Sequence, residues 1–361
     1  MDFSLALSIT GLILAAIANL MPLMSLRIEG RGQEASLASG AMALAQDGLW
    51  PLAALIMITT VVVPVTKLGG TCYVLLMLRR AHPPFHARAL FRGLEKLRPW
   101  AMIEVYLLGA FVAYVKLADI ATIEIGPALY ALGALMLAMA ALDATLDAEA
   151  VWQALAPHAE RPVEGELVRC DSCALVGASA GDAPLCPRCG AALHGRKPDS
   201  LARSWALVIA ALILYLPANY YPVMTVVSFG SGEPDTIISG VKRLIASGMW
   251  PLALLVFFAS ITVPVLKLLS LVLLLATTQR RSRWRIHERT HVYRIIESIG
   301  RWSMIDIFML SILAALVRMG SIASIEPGAG ALSFAAVVVI TMIAAMAFDP
   351  RLMWDGAGEN P

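Results

Sequence analysis

Charge is scarce in this sequence. Acidic and basic residues make up 15% of its 361 positions, against about 25% in an ordinary soluble domain. With a mean hydropathy of +0.74, the chain falls outside the soluble globular class. The formal net charge is only +2, and the basic clusters lie between apolar runs, where they read as topology signals and not as a nucleic-acid surface. No Walker loop, dinucleotide fingerprint, Ser/His/Asp set or Cys/His set is present. These absences argue against an enzyme and against a nucleotide-driven machine. They leave an ion gradient, a partner or a lipid gradient as the energy source.

Long apolar runs fill the space that charge leaves. Several exceed the roughly 18 residues that mark a membrane helix. Eight spans are expected, at about 5–24, 50–78, 100–118, 125–146, 206–224, 250–276, 302–318 and 331–348. The chain therefore reads as an all-α polytopic membrane protein. The first run lacks a basic n-region, so it is expected to be a retained helix and not a cleaved signal.

The second half repeats the first. Gly48-Leu-Trp50-Pro51 through Thr60 to Pro64 and Lys67 recurs as Gly248-Met-Trp250-Pro251 through Ser260 to Pro264 and Lys267. Asn19 and Pro22 recur as Asn219 and Pro222, Glu104 as Asp306, and Lys116 as Arg318. This predicts two duplicated four-helix modules, 1–148 and 204–361, in parallel orientation. A polar cytosolic linker, 149–203, joins them and holds a small ribbon at about 167–195.

Basic residues set the expected orientation. Arg79, Arg80, Arg88, Arg92, Lys96 and Arg98 follow span two, and Arg280, Arg281, Arg283, Arg285, Arg289 and Arg294 follow its counterpart. Those loops are expected in the cytosol, with both termini and the ribbon. The opposite loops carry Glu29, Glu34, Asp47, Asp119, Glu124, Glu233 and Asp235. The stretch 283–301 interleaves Trp and Ile with Arg and His, which suits either a simple anchor or an amphipathic helix on the anionic leaflet.

Four of the five cysteines form two C-x-x-C knuckles, Cys170/Cys173 and Cys186/Cys189. Four thiolates at this spacing close a tetrahedron around one metal. Zinc is the expected ion, and iron in a rubredoxin-like site uses the same ligands. Two disulfides are disfavoured in the cytosol. A closed site of this kind has no open position for substrate, so its expected role is structural.

The second constellation is buried in the spans. Ser260 and Lys267 are seven apart and share a helix face. Pro264 frees the Ser260 carbonyl. Ser303 and Asp306 share a face in the next span, and Thr341 lies in the last. A lysine and an aspartate in neighbouring spans are expected to neutralise one another. The first module keeps Thr60, Lys67 and Glu104 but has Ala101 in place of Ser303, which points to the second module as the working site.

Pro217-Ala-Asn219-x-x-Pro222, Gly248-x-Trp250-Pro251, Pro264-x-x-Lys267, Gly300-Arg-Trp302-Ser303 and Phe348-Asp349-Pro350-Arg351 together resemble the paraquat-inducible protein A family, over nearly the whole chain. The resemblance implies an inner-membrane subunit that loads or unloads phospholipid for a periplasmic MCE-domain tunnel protein. On it, Ser260, Lys267, Ser303, Asp306 and Thr341 match a polar intramembrane network, and the cysteines match a metal ribbon. The alternatives are a non-transporting anchor for the MCE partner and an iron redox protein. Family members often carry a second ribbon before the first module. Here the chain enters the membrane almost at once, so any role of that ribbon is expected to be absent or supplied elsewhere.

Overall fold

The computed structural model describes residues 2–28, 31–80, 84, 86–118, 122–156, 167–178, 185–228, 231–318 and 323–355. Glu29 and Asp119 lie outside the described residues, as does the side chain of Glu233.

The first series of elements begins with α1 (Asp2–Leu20), β1 (Met24–Ile28), β2 (Arg31–Ala35), α2 (Ser39–Gln46) and α3 (Trp50–Met57). It continues through a π-helical turn (Ile58–Val62), α4 (Val63–Met77), α5 (His86–Leu97), α6 (Ile103–Ala118), β3 (Thr122–Ile125) and α7 (Pro127–Thr145). Next come α8 (Ala148–Leu155), β4 (Leu167–Arg169) and β5 (Val176–Ala178). The second series begins with α9 (Ser200–Tyr220), β6 (Met224–Ser228), β7 (Ser231–Asp235), α10 (Ile237–Ala246) and α11 (Trp250–Phe257). It continues through a π-helical turn (Phe258–Thr262), α12 (Val263–Gln279), α13 (Ile286–Ile299), α14 (Ile305–Leu316), β8 (Ala323–Pro327) and α15 (Ala329–Ala347), before α16 (Arg351–Asp355). The order of elements is the same in both series, down to the π-helical turn before each mid-span proline.

Among the described residues, eight helical stretches are long and apolar enough to cross a membrane. The helical character read from the composition holds. Among the described residues, two three-stranded sheets accompany it, besides the two-stranded β4-β5 pair. They are antiparallel, with strand orders β2-β1-β3 and β7-β6-β8. Span one is shorter than expected: Met24 and Met224 lie in strands, because Pro22 and Pro222 cannot continue the helix. Asn19 Nδ2 donates to Ala15 O at 2.7 Å, and Asn219 Nδ2 to Tyr215 O at 2.9 Å, so each asparagine satisfies a carbonyl near the helix end. At the start of α15, a Cβ on Gly328 would stand 2.2 Å from Pro222 O, and a Cβ on Gly126 would stand 2.1 Å from Pro22 O. Only glycine fits at these two corners.

Contacts divide the chain into two compact units. The first contains 1–21, 58–103 and 127–195, and the second contains 22–57, 104–126 and 196–361. In the first unit, Phe91 and Leu94 of α5 pack with Val151, Trp152 and Leu155 of α8 and with the four ribbon cysteines. In the second, α14 is the buried centre: every residue from Ile307 to Leu316 is buried. Tyr106 of α6 stacks edge-on against Phe308 there, at 5.4 Å between ring centroids. The predicted amphipathic stretch forms α13, and its buried stripe is Ile286, Arg289, Tyr293 and Ile296. Trp284 is exposed.

Candidate functional site: a metal ribbon and a buried polar set

The ribbon is built from two short turns. Ala174 N–H donates to Cys170 O at 3.0 Å and Gly190 N–H to Cys186 O at 2.8 Å; Ala174 and Gly190 take left-handed φ of 59° and 70°. These turns aim all four thiols inward. The sulfur atoms of Cys170, Cys173, Cys186 and Cys189 lie within 4.8 Å of one another. Cys170 Sγ is 3.6 Å from Cys189 Sγ, and Cys173 Sγ is 3.6 Å from Cys186 Sγ. A tetrahedron with Zn–S bonds of about 2.3 Å has S···S edges of about 3.8 Å, so the donor set fits a metal such as zinc. His194 is exposed and outside the cluster. In the metal-free chain, burial pushes the Cys189 thiol up to about 11 and the Cys173 thiol higher still. Metal capture by these thiols therefore releases protons.

The ribbon is fastened to its unit by arginines. Buried Arg188 donates to both oxygens of Glu149, at 3.0 and 2.7 Å, and to its main-chain oxygen at 3.1 Å. The Arg188 hydrogen bond holds the Glu149 carboxyl below its usual range, although Glu149 is largely in solvent. Arg92 of α5 donates to Cys189 O at 2.9 Å.

The intramembrane residues occupy two levels of the second unit. Ser260 sits buried within the π-helical turn before Pro264. Such turns appear often at functional sites. Ser260 and Asp306 line one cavity of about 50 Å³, with Lys116 and Asp235. That is room for roughly three waters and too little for a lipid headgroup. Lys267 lies two turns further on, about 10 Å along the helix axis. It is only 4% exposed, and its Nζ has no hydrogen-bond partner among the described residues. The expected pairing of Lys267 with Asp306 is therefore corrected: Asp306 Oδ2 is likewise unpartnered, and its charged neighbour in the cavity is Lys116. The reason is the difference in level. Lys267 lies instead against the C-terminal turn of α13, where a Cβ on Gly300 would stand 3.2 Å from its Nζ. That helix end is electronegative and favours a cation. Ser303 Oγ and Ser260 Oγ are also buried and unpartnered, whereas Thr341 Oγ1 donates to Val338 O of its own helix at 3.0 Å.

The first series resolves the same lysine differently. Lys67 Nζ is 2.8 Å from both carboxylate oxygens of Asp143 on α7, and Arg98 Nε is 3.9 Å from Asp143. Glu104 pairs with Arg301 at 3.1 Å and not with a lysine, and Thr60 is buried in its π-helical turn. With the two-residue offset that aligns Glu95 to Glu297, Asp143 corresponds to Ala345 and Arg98 to Gly300. At these two positions the second series therefore carries no charge. Asp143 was not singled out from sequence, and Lys116 and Asp235 were read there only as a repeat position and a loop charge. Asp143 could have been found as the acid of span four that its counterpart lacks. Asp143→Ala is expected to lower the unfolding free energy by about 2 kcal/mol, because it strands Lys67 while Asp143 itself is partly exposed. Chemical unfolding of the purified protein in detergent measures this.

The sequence model described as paraquat-inducible protein A matches this chain twice, over residues 1–156 and 201–357. The chain belongs to the paraquat-inducible protein A family. It is 34% identical over 366 residues to "Intermembrane transport protein PqiA" of Escherichia coli K12, covering 98% of this chain and 86% of that protein. The same 34% identity, with the same coverage, relates it to the protein of that name in Shigella flexneri. It is 33% identical to "Lipophilic envelope-spanning tunnel protein A" of Escherichia coli K12 over 269 residues, covering 74% of this chain and 62% of that protein. No solved structure matches.

Proposed function

We propose that this chain is the inner-membrane subunit of a system that moves phospholipid between the membranes of a bacterial envelope. It loads or unloads lipid for a periplasmic MCE-domain tunnel protein. Family membership and the relatives' names support the transport reading. The distribution of arginines supports a placement with both termini and the ribbon in the cytosol. Zinc in the ribbon would serve folding: Cys170, Cys173, Cys186 and Cys189 would hold it as thiolates, leaving no position for a substrate.

The observation that carries the mechanism is the stripped lysine. A buried ammonium without a carboxylate is unfavourable, yet here the replacements at Ala345 and Gly300 create that state. Such a group is poised for an anionic ligand. A lipid phosphate entering from the second module would accept hydrogen bonds from Lys267, with the unpartnered hydroxyl of Ser303 as a second donor. Ser260, Asp306 and Lys116 form the next station toward the outer face, where the water-sized cavity would carry protons or receive the headgroup once it widens. Thr341 lines the same bundle. The first copy, with Thr60, Lys67 and Glu104, is the support.

Single variants Lys267→Ala and Asp306→Ala, tested for complementation of a deletion strain with pull-down of the MCE partner, check this reading. Lost function with retained partner binding is expected. Full function in both variants would make the buried charges structural and favour a passive anchor.

A further inference from the structure

A second cation is stranded in this molecule, away from Lys267. Arg289 lies on the buried stripe of α13 and is 3% exposed. Its side chain makes one hydrogen bond among the described residues, from Nη2 to Ser282 O, at 3.1 Å. Nε and Nη1 are buried and unpartnered. The neighbouring acid, Glu288, is exposed and pairs with Arg285 at 3.0 Å, so it does not compensate Arg289. A guanidinium does not shed its proton to escape burial, as a lysine can.

The preceding helix carries another orphan. The chain after α12 folds back so that Arg281 N–H donates to Thr278 O and Ser282 N–H to Thr277 O, each at 3.0 Å. Ser282 O in turn receives Arg289. The Thr278 hydroxyl at the end of α12 is buried and has no partner among the described residues. Two donor nitrogens of Arg289 and the hydroxyl of Thr278 are thus left without partners among the described residues, on the two helices that this connection joins. Exposed Arg280, Arg281, Arg283 and Arg285 stand in the same connection between α12 and α13, and Arg281 and Arg285 hold left-handed φ of 49° and 46°. In the first series the position of Arg289 is taken by Ala87, which is fully buried beside the ribbon-packed Phe91. The feature belongs to the second copy alone.

We propose that Arg289, with the Thr278 hydroxyl, forms a receptor for one phosphate anion, carried on a phospholipid headgroup or taken as the free ion. Nη2 keeps one hydrogen beyond its bond to Ser282 O, and this hydrogen stands beside a free N–H of Nε or of Nη1, so that one bidentate fork remains for two phosphate oxygens, and the arginines of the same connection attract the anion. Arg289 lies about 16 Å along α13 from Gly300 and Lys267. The site is therefore separate from the transport path and goes beyond the proposed function. An occupant there would pin the loop to α13.

The test uses the full chain carrying Lys267→Met, which removes the buried lysine that has no partner among the described residues. Thermal midpoints are followed in maltoside micelles titrated with dioleoylphosphatidylglycerol, with dioleoylglycerol, or with inorganic phosphate. Phosphatidylglycerol is expected to raise the midpoint, and dioleoylglycerol, which has the same chains and no phosphate, is not. Adding Arg289→Gln should weaken the apparent affinity for phosphatidylglycerol roughly tenfold or more without lowering the lipid-free midpoint. Thr278→Val should weaken it by less and keeps the test valid if the arginine variant fails to fold. A rise with inorganic phosphate alone, lost in Arg289→Gln, supports the same receptor with the free ion as occupant. Equal shifts from phosphatidylglycerol and dioleoylglycerol would overturn the proposal, as would an undiminished response in both variants.

Discussion

A chain carrying Lys267→Met is expected to melt higher than the unaltered protein in lipid-free detergent and to fail in transport. Methionine fills nearly the same volume as the lysine stem and adapts to irregular surroundings. It removes a charge that is 4% exposed and has no hydrogen-bond partner among the described residues. Replacing buried charges by apolar side chains of similar size is often stabilising, by about 1–4 kcal/mol. The helix-end position beside Gly300 offsets part of that gain, since the carbonyl end of α13 favours the cation. Phospholipid should raise the midpoint of the unaltered protein more than that of the variant. Ala345→Asp is the converse experiment. It restores the acid that Lys67 has in Asp143, and an added ion pair in the second copy should stabilise the fold while blocking the headgroup position. A lower midpoint and intact transport for Lys267→Met would show a lysine that serves packing only.

The second large effect concerns the ribbon. Cys189→Ser is expected to abolish stoichiometric metal and to unfold the segment 167–195, leaving the membrane helices in place. Structural zinc contributes roughly 10–16 kcal/mol of apparent binding energy at neutral pH, more than such a small segment holds by packing. Its own strands, β4 and β5, have only three residues each. Without the metal, the contacts of Arg92 with Cys189 O and of Arg188 with Glu149 lose their anchor. Metal analysis and limited trypsin digestion after chelation read the outcome. One zinc per chain, colourless protein and rapid cleavage near Arg188 after chelation are expected. Visible absorbance from iron would revive the redox alternative. Because the thiolates must be deprotonated to bind, metal should be retained above neutral pH and lost progressively on acidification.

Much of this was legible in the residues. The two C-x-x-C pairs define the metal cluster because short turns dictate where their side chains point. The lysines at 67 and 267 are legible because charge in a long apolar run is rare. Partners were harder to read. Glu104 and Asp306 stood out as acids next to the lysines in the repeat, yet Lys67 takes Asp143 from α7 and Lys267 takes none. Helix rise explains this: seven residues separate Ser260 from Lys267, and Asp306 reaches only the first of them. The informative comparison was the pair of absences, Ala345 for Asp143 and Gly300 for Arg98. It becomes visible only when the two halves are aligned at the later offset. The small sheets left a weak trace. Met24-Ser-Leu-Arg-Ile28 and Thr122-Ile-Glu-Ile125 alternate apolar with polar residues, but beside spans of twenty apolar residues so short a pattern reads as loop.

On the proposed function, a phospholipid headgroup visits Lys267 and not its first-series counterpart Lys67. Photocrosslinking tests it most directly. A benzoylphenylalanine replaces Ser303 in one strain and Ala101, its first-copy counterpart, in another, each grown with radiolabelled phosphate. Ultraviolet-dependent label on the chain from position 303, with little from position 101, and loss of the 303 signal when Lys267→Met is added, is the predicted result. Equal labelling from both positions, or a 303 signal indifferent to Lys267, would contradict it.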